Sequence, residues 1–126
     1  VKVQIGWTID KYLSESPYLQ ANSLNSLVDN RANFMGYRLT YVFDETTKQL
    51  SMVMVEDYSN KHFDRFKEYL TDWMKKKDSL QESNQNGMRI IVDATPLSES
   101  DDSKILQSIT LASDKMVLTY HIFYKN

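Results

Sequence analysis

The only imidazoles in the 126-residue chain are His62 and His121, so any general-base or metal chemistry that needs one must recruit them. His62 lies just ahead of Asp64, and His121 falls in the last apolar run. A helix packed over that run would bring two histidines and a carboxylate together. The spacing is not that of H-E-x-x-H, and the simpler reading is a helix-start histidine and a histidine on the polar face of a strand. Glu56 and Asp57, with Asp44 and Glu45, offer the carboxylate pair a glycosidase uses, but adjacent residues on a strand point to opposite faces. Glu99, Asp101 and Asp102 supply the oxygens calcium prefers without the alternating carboxylates or turning glycine of an EF-hand. A serine nucleophile would have to borrow one of the two histidines with no motif around it, and the chain has no cysteine. The sequence therefore implies no metal, no cofactor and no catalytic residue. A small hydrolase built from His62, Asp64, Glu56 and His121 stands as the alternative to a binding function.

Composition removes further classes. Fifteen basic against 17 acidic side chains give a net charge of -2, and the arginines are only Arg31, Arg38, Arg65 and Arg89, so there is no basic footprint for nucleic acid. Gly6, Gly36 and Gly87 are too far apart for a phosphate loop or a dinucleotide fingerprint. No apolar run is long enough to cross a membrane as a helix. The chain opens at Val1 inside a patterned segment, which fits trimming at the N-terminus. Freedom from cysteine and from Asn-x-Ser/Thr acceptors fits an exported bacterial protein, whether periplasmic, secreted or an outer-membrane lipoprotein.

The elements that must position these residues follow from periodicity. Val1, Val3, Ile5, Trp7 and Ile9 alternate with Lys2, Gln4, Gly6 and Thr8, the period of a half-buried strand. Asp10 to Asn33 reads as a connector with a short helix, in which Tyr18, Leu19, Leu24, Leu27 and Val28 make one or two turns. Tyr37 to Phe43 and Leu50 to Val55, separated by a polar turn, predict a hairpin. Phe63, Phe66, Leu70, Trp73 and Met74 predict a long amphipathic helix capped at Ser59 or Asn60 and running to about Gln81. Lys75 to Lys77 lie near its C-terminal end. Asn86-Gly87 turns the chain into a strand from Met88 that Pro96 ends. Ile105 to Ala112 reads as strand or short helix, and Met116 to Tyr124 as the last strand of a closing hairpin.

Together these predict a single α+β domain over residues 1–126: a mainly antiparallel sheet with one long amphipathic helix packed on one face, a two-layer sandwich, plus a short N-terminal helical connector. Leu39-Thr40-Tyr41 is echoed by Leu118-Thr119-Tyr120, which raises a duplication. Glu15-Ser16-Pro17, the strand Tyr37 to Glu45, the helix after it and Asn86-Gly87-Met88-Arg89-Ile90 resemble uncharacterised exported domains of Bacteroidetes bacteria. The resemblance implies a secreted or lipid-anchored α+β domain and carries no site residue with it.

With aromatics such as Tyr41, Phe43 and Trp73 assigned to the core, the surface left for recognition is the uncovered sheet face, with Arg38, Thr40, Thr119, His121 and Phe123. The expected function is a non-enzymatic interaction or ligand-binding domain, meeting a protein, a small ligand or a second copy through that face or an edge strand. A component of a cell-envelope assembly is a further alternative.

Overall fold

A computed structural model describes residues 4–31, 37–57, 63–113 and 115–125. The chain order is α1 (Ile9–Glu15), β1 (Leu19–Ser23), β2 (Ser26–Asp29), β3 (Tyr37–Phe43), β4 (Leu50–Asp57), α2 (Phe63–Met74), β5 (Leu80–Gln85), β6 (Met88–Glu99), β7 (Ser103–Leu111) and β8 (Met116–Tyr124). All eight strands form one sheet in the order β1-β2-β3-β4-β8-β7-β6-β5, and every neighbouring pair is antiparallel. Two four-stranded meanders, each preceded by a helix, thus meet at their last strands. Because β4 and β8 are antiparallel, a half-turn about the sheet normal between them exchanges the two halves.

This architecture corrects the expected fold class. The described residues form an eight-stranded antiparallel sheet with two short helices, 19% helical, and not an α+β sandwich built on one long helix. The 12-residue α2 ends at Met74, a 3-10 turn takes Lys77–Ser79, and β5 follows at once. Beyond Met74 the apolar stripe is broken by Lys75, Lys76 and Asp78, and a helix continued through them would have no buried face. The strand that replaces it is an edge strand whose residues after Leu80 are exposed.

From Gln4 on, the N-terminal alternation also does not make a strand, and Val1 to Val3 lie outside the described residues. Gly6 takes a positive φ of 86°, open to glycine at little cost, and Ile5 is exposed. Thr8 bridges Gln49, then caps α1 by accepting the Lys11 backbone N–H. Leu19, Leu27 and Val28, expected in a helical connector, lie on strands β1 and β2. Pro96 does not end β6, which runs on to Glu99; the ladder with β7 shifts between Asp93 and Ser98, where a missing N–H costs nothing. The caps expected at Ser59 or Asn60 lie outside the described residues. No helix among the described residues is long and apolar enough to cross a membrane.

Residues paired across an antiparallel ladder share a face, so the registers sort the sheet. One face carries both cores. Tyr12 of α1 packs with Leu19, Leu27, Tyr41, Phe43, Leu50, Val53 and Ile122. Leu70 and Trp73 of α2 pack with Ile91, Ile109 and Met116. The opposite face presents Val28, Thr40, Met54, Thr119, Ser108 and Val92 in one row across six strands. The Leu-Thr-Tyr segments flank β4 in the same register: Thr40 and Thr119 both pair with Met54, and Tyr41 and Tyr120 both pair with Val53. They are neighbours of one strand and not counterparts under the half-turn, which relates β3 to β7.

Candidate functional site

The sheet-face residues singled out from the sequence share one face. Arg38 and Thr40 on β3 and Thr119, His121 and Phe123 on β8 all lie opposite the helices. Most of their polar groups are engaged or shielded. Thr40 and Thr119 are 7% and 6% exposed, sunk between longer neighbours such as Met54. His121 Nε2 and Ser108 Oγ share a hydrogen bond of 2.9 Å, and burial pushes the imidazole pKa below its usual value. Arg38 donates from Nη2 to Asn22 Oδ1 at 2.9 Å, while its Nε is buried without a partner. Phe123 stacks on His121 with 6.5 Å between ring centroids and stays largely accessible. A shallow hollow of about 180 Å³ lies on this face between Met54, Met88, Thr110, Lys115 and Val117.

The carboxylate-histidine set is not drawn together where it is described. Glu56 pairs with Val117, four residues along β8 from His121, which separates them by about 13 Å. Lys115 lies 3.7 Å from Glu56. His62 and the Asp64 side chain lie outside the described residues. No cluster of three or more His, Asp or Glu able to hold a metal occurs among the described residues. In the acidic turn, Lys125 reaches Glu99 at 2.5 Å and holds its carboxyl below the usual range.

The larger concavity is on the helix face, where the sequence reading placed only core. A cleft of about 530 Å³ opens between α2 and the outer part of β6, lined by Tyr69, Asp72, Trp73, Lys76, Ser79, Asp93, Thr95, Pro96, Leu97 and Gln107. Its size is that of a small-ligand pocket. The helix supplies one wall because Tyr69 and Trp73, four residues apart, stack on one helical face, and Lys76 follows in the turn just after the helix. The ring centroids of Tyr69 and Trp73 are 5.8 Å apart. The floor is the ladder step Asp93 to Gln107. Gln107 Nε2 donates to Tyr69 Oη at 3.2 Å and also bonds Tyr120, whose phenol burial pushes up in pKa.

Asp93 is the unusual group in this cleft. It is 9% exposed, and its Oδ1 accepts the Thr95 backbone N–H at 3.0 Å. It makes no ion pair with a described residue. A buried carboxylate is normally matched by a cation or by several donors. In the sequence Met88, Ile90 and Val92 alternate with Arg89, Ile91 and Asp93, which reads as Asp93 on the more polar face of the strand; it is that face which packs against α2. Comparison with protein-family models, with curated proteins and with solved structures found no match for the chain.

Proposed function

We propose that the protein is a ligand-binding module that works through the cleft between α2 and β6. The observation that carries this reading is the buried Asp93 carboxylate, without a partner cation among the described residues, at the floor of a walled concavity of about 530 Å³. The described lining offers two aromatic rings, an amide, the carboxylates of Asp72 and Asp93, the Lys76 ammonium and apolar Pro96 and Leu97, a set suited to holding a molecule. It offers no histidine and no base-nucleophile pair, which favours binding over catalysis. The cysteine-free composition is what supports an exported setting for such a module.

Two-dimensional NMR with a library of small charged and aromatic fragments tests the reading. Binders should shift the Trp73 indole N–H and the Gln107 side-chain amide first. Responses confined to Phe123, His121 and their neighbours would transfer the function to the opposite sheet face and overturn the cleft.

A further inference from the structure

The half-turn that exchanges the two meanders also pairs their aspartates. Asp29 is the last residue of β2 and pairs with Leu19, the first residue of β1. Asp93 pairs with Leu80, the first residue of β5, at the point where the β6–β7 ladder breaks. Each carboxylate accepts, at 3.0 Å, the backbone N–H of the residue two positions on, Arg31 or Thr95. Both are buried, at 2% and 9% exposure, on the helix face of the sheet. The two sites share one backbone design and differ in what answers the charge.

At Asp29 the answer is within the chain. Arg31 lays its guanidinium fork on the carboxylate, with Nε to Oδ1 at 3.0 Å and Nη2 to Oδ2 at 2.8 Å. The Tyr18 ring covers the guanidinium, 3.4 Å from its central carbon. At Asp93 the corresponding residue is Thr95, too short and uncharged, and the space such a fork would fill is the cleft. Aromatic surface is in place there too, from Tyr69 and Trp73. Lys76 lines the same cleft but makes no ion pair with Asp93. A point-charge ammonium also matches a planar carboxylate fork less well than a guanidinium does.

We infer that the ligand of the cleft is an alkylguanidinium, received by Asp93 as Asp29 receives Arg31, with its stem against Trp73 and Leu97. The inference rests on the cleft reading above and names the ligand class. Its sources are a free small molecule or an arginine side chain on a peptide, and the same chemistry recognises both.

Calorimetric and NMR titrations of the whole chain test it, using agmatine, a blocked arginine amide, n-butylamine and n-butylurea. Agmatine should bind saturably, with shifts at Trp73 and Gln107, and at least tenfold tighter than the amine or the neutral, equally planar urea. Asp93→Asn should weaken it at least tenfold. Thr95→Arg, which rebuilds the Asp29 arrangement, should abolish it. Lys76→Met, by removing a competing cation, should tighten it. Preference for the blocked arginine amide assigns the peptide source, and preference for agmatine the free molecule. Equal binding of amine and guanidinium, or indifference to Asp93→Asn, overturns the inference while leaving the cleft a binding site. Fragments that bind the cleft while no guanidinium does overturn it in the same way. Absence of any cleft ligand in the fragment screen overturns the functional reading itself.

Discussion

The two halves of the sheet follow one plan and finish it differently. In the first, α1 closes over an aromatic core in which Tyr12 lies 5.1 Å from Trp7 and 5.5 Å from both Tyr41 and Phe43, centroid to centroid. Tyr124 of the last strand reaches into this half, donating to the Leu50 carbonyl at 2.6 Å. The matched aspartate is sealed by Arg31. In the second half α2 rests on a mostly aliphatic core of Leu70, Trp73, Ile91, Ile109 and Met116, and beside it lies a cleft. A backbone repeat can therefore carry a structural ion pair at one position and an open carboxylate at its counterpart, and side chains decide which.

The comparison breaks first if the halves are separate folding units. Phe43→Ala removes a side chain that is 2% exposed and should cost about 3–5 kcal/mol. Because β4 and β8 are hydrogen-bonded neighbours in one sheet, the loss should appear in a single shifted denaturation transition reported alike by fluorescence and circular dichroism. A variant in which Trp73 fluorescence keeps its original midpoint would show two independent units.

A smaller effect tests the sealed aspartate. Arg31→Ala should lower the melting temperature by several degrees, less than Phe43→Ala, because it strands the buried Asp29 carboxylate. Arg31 holds that carboxyl below its usual pKa. The contribution is thus complete above the ordinary carboxylate value of about 4 and is lost as pH falls through the lower native value, so wild type and variant should converge in acid. Added agmatine should restore part of the variant's melting temperature at neutral pH. A variant as stable as wild type would mean that the ion pair is ornamental and the two aspartates differ less than their surroundings suggest.

How much of this was readable depends on whether a residue's neighbours are near in sequence. The β3–β4 hairpin follows from the alternation of Tyr37 to Phe43 and Leu50 to Val55, since each strand has one apolar face. The edge strands β1 and β5 do not follow, because Gln20 to Ser23 and Gln81 to Gln85 are exposed on both faces and their sequences look like loop or helix tail. The alternation from Gln4 to Ile9 misled because it says nothing of a positive φ at Gly6 or of a cap at Thr8. Parity along each strand groups Arg38 with Thr40, and Thr119 with His121 and Phe123, but that the two sets share one face depends on both strands pairing with β4, which alternation alone does not give. The cleft was not legible, because Tyr69, Asp93 and Gln107 meet only through packing of α2 on the sheet.

The central strands supply a finer test on the opposite face. Burial lowers the His121 pKa, so as pH falls from about 6.5 the unfolded chain takes its proton first. Stability should then decline until the native value is passed and level off below it. His121→Gln should flatten that step in melting temperature between neutral and mildly acid pH, the difference from wild type separating His121 from His62. Unchanged pH dependence in the variant would mean that this part of the open face is effectively solvated.

The smallest expected change in stability is the most telling for the comparison. Asp93→Asn keeps an oxygen for the Thr95 backbone N–H and removes a buried charge that no described cation answers. The unfolding free energy should therefore stay within about 1 kcal/mol of wild type, or rise. Asp29→Asn, which takes the acceptor of a forked arginine, should fall. Equal losses in the two variants would show that Asp93 is held by charge as Asp29 is, and that no vacancy for a cation exists. Opposite signs, measured by urea denaturation of both variants in one buffer, would locate the difference between the halves in a single missing guanidinium. They would also explain why the second half tolerates a cleft that the first fills.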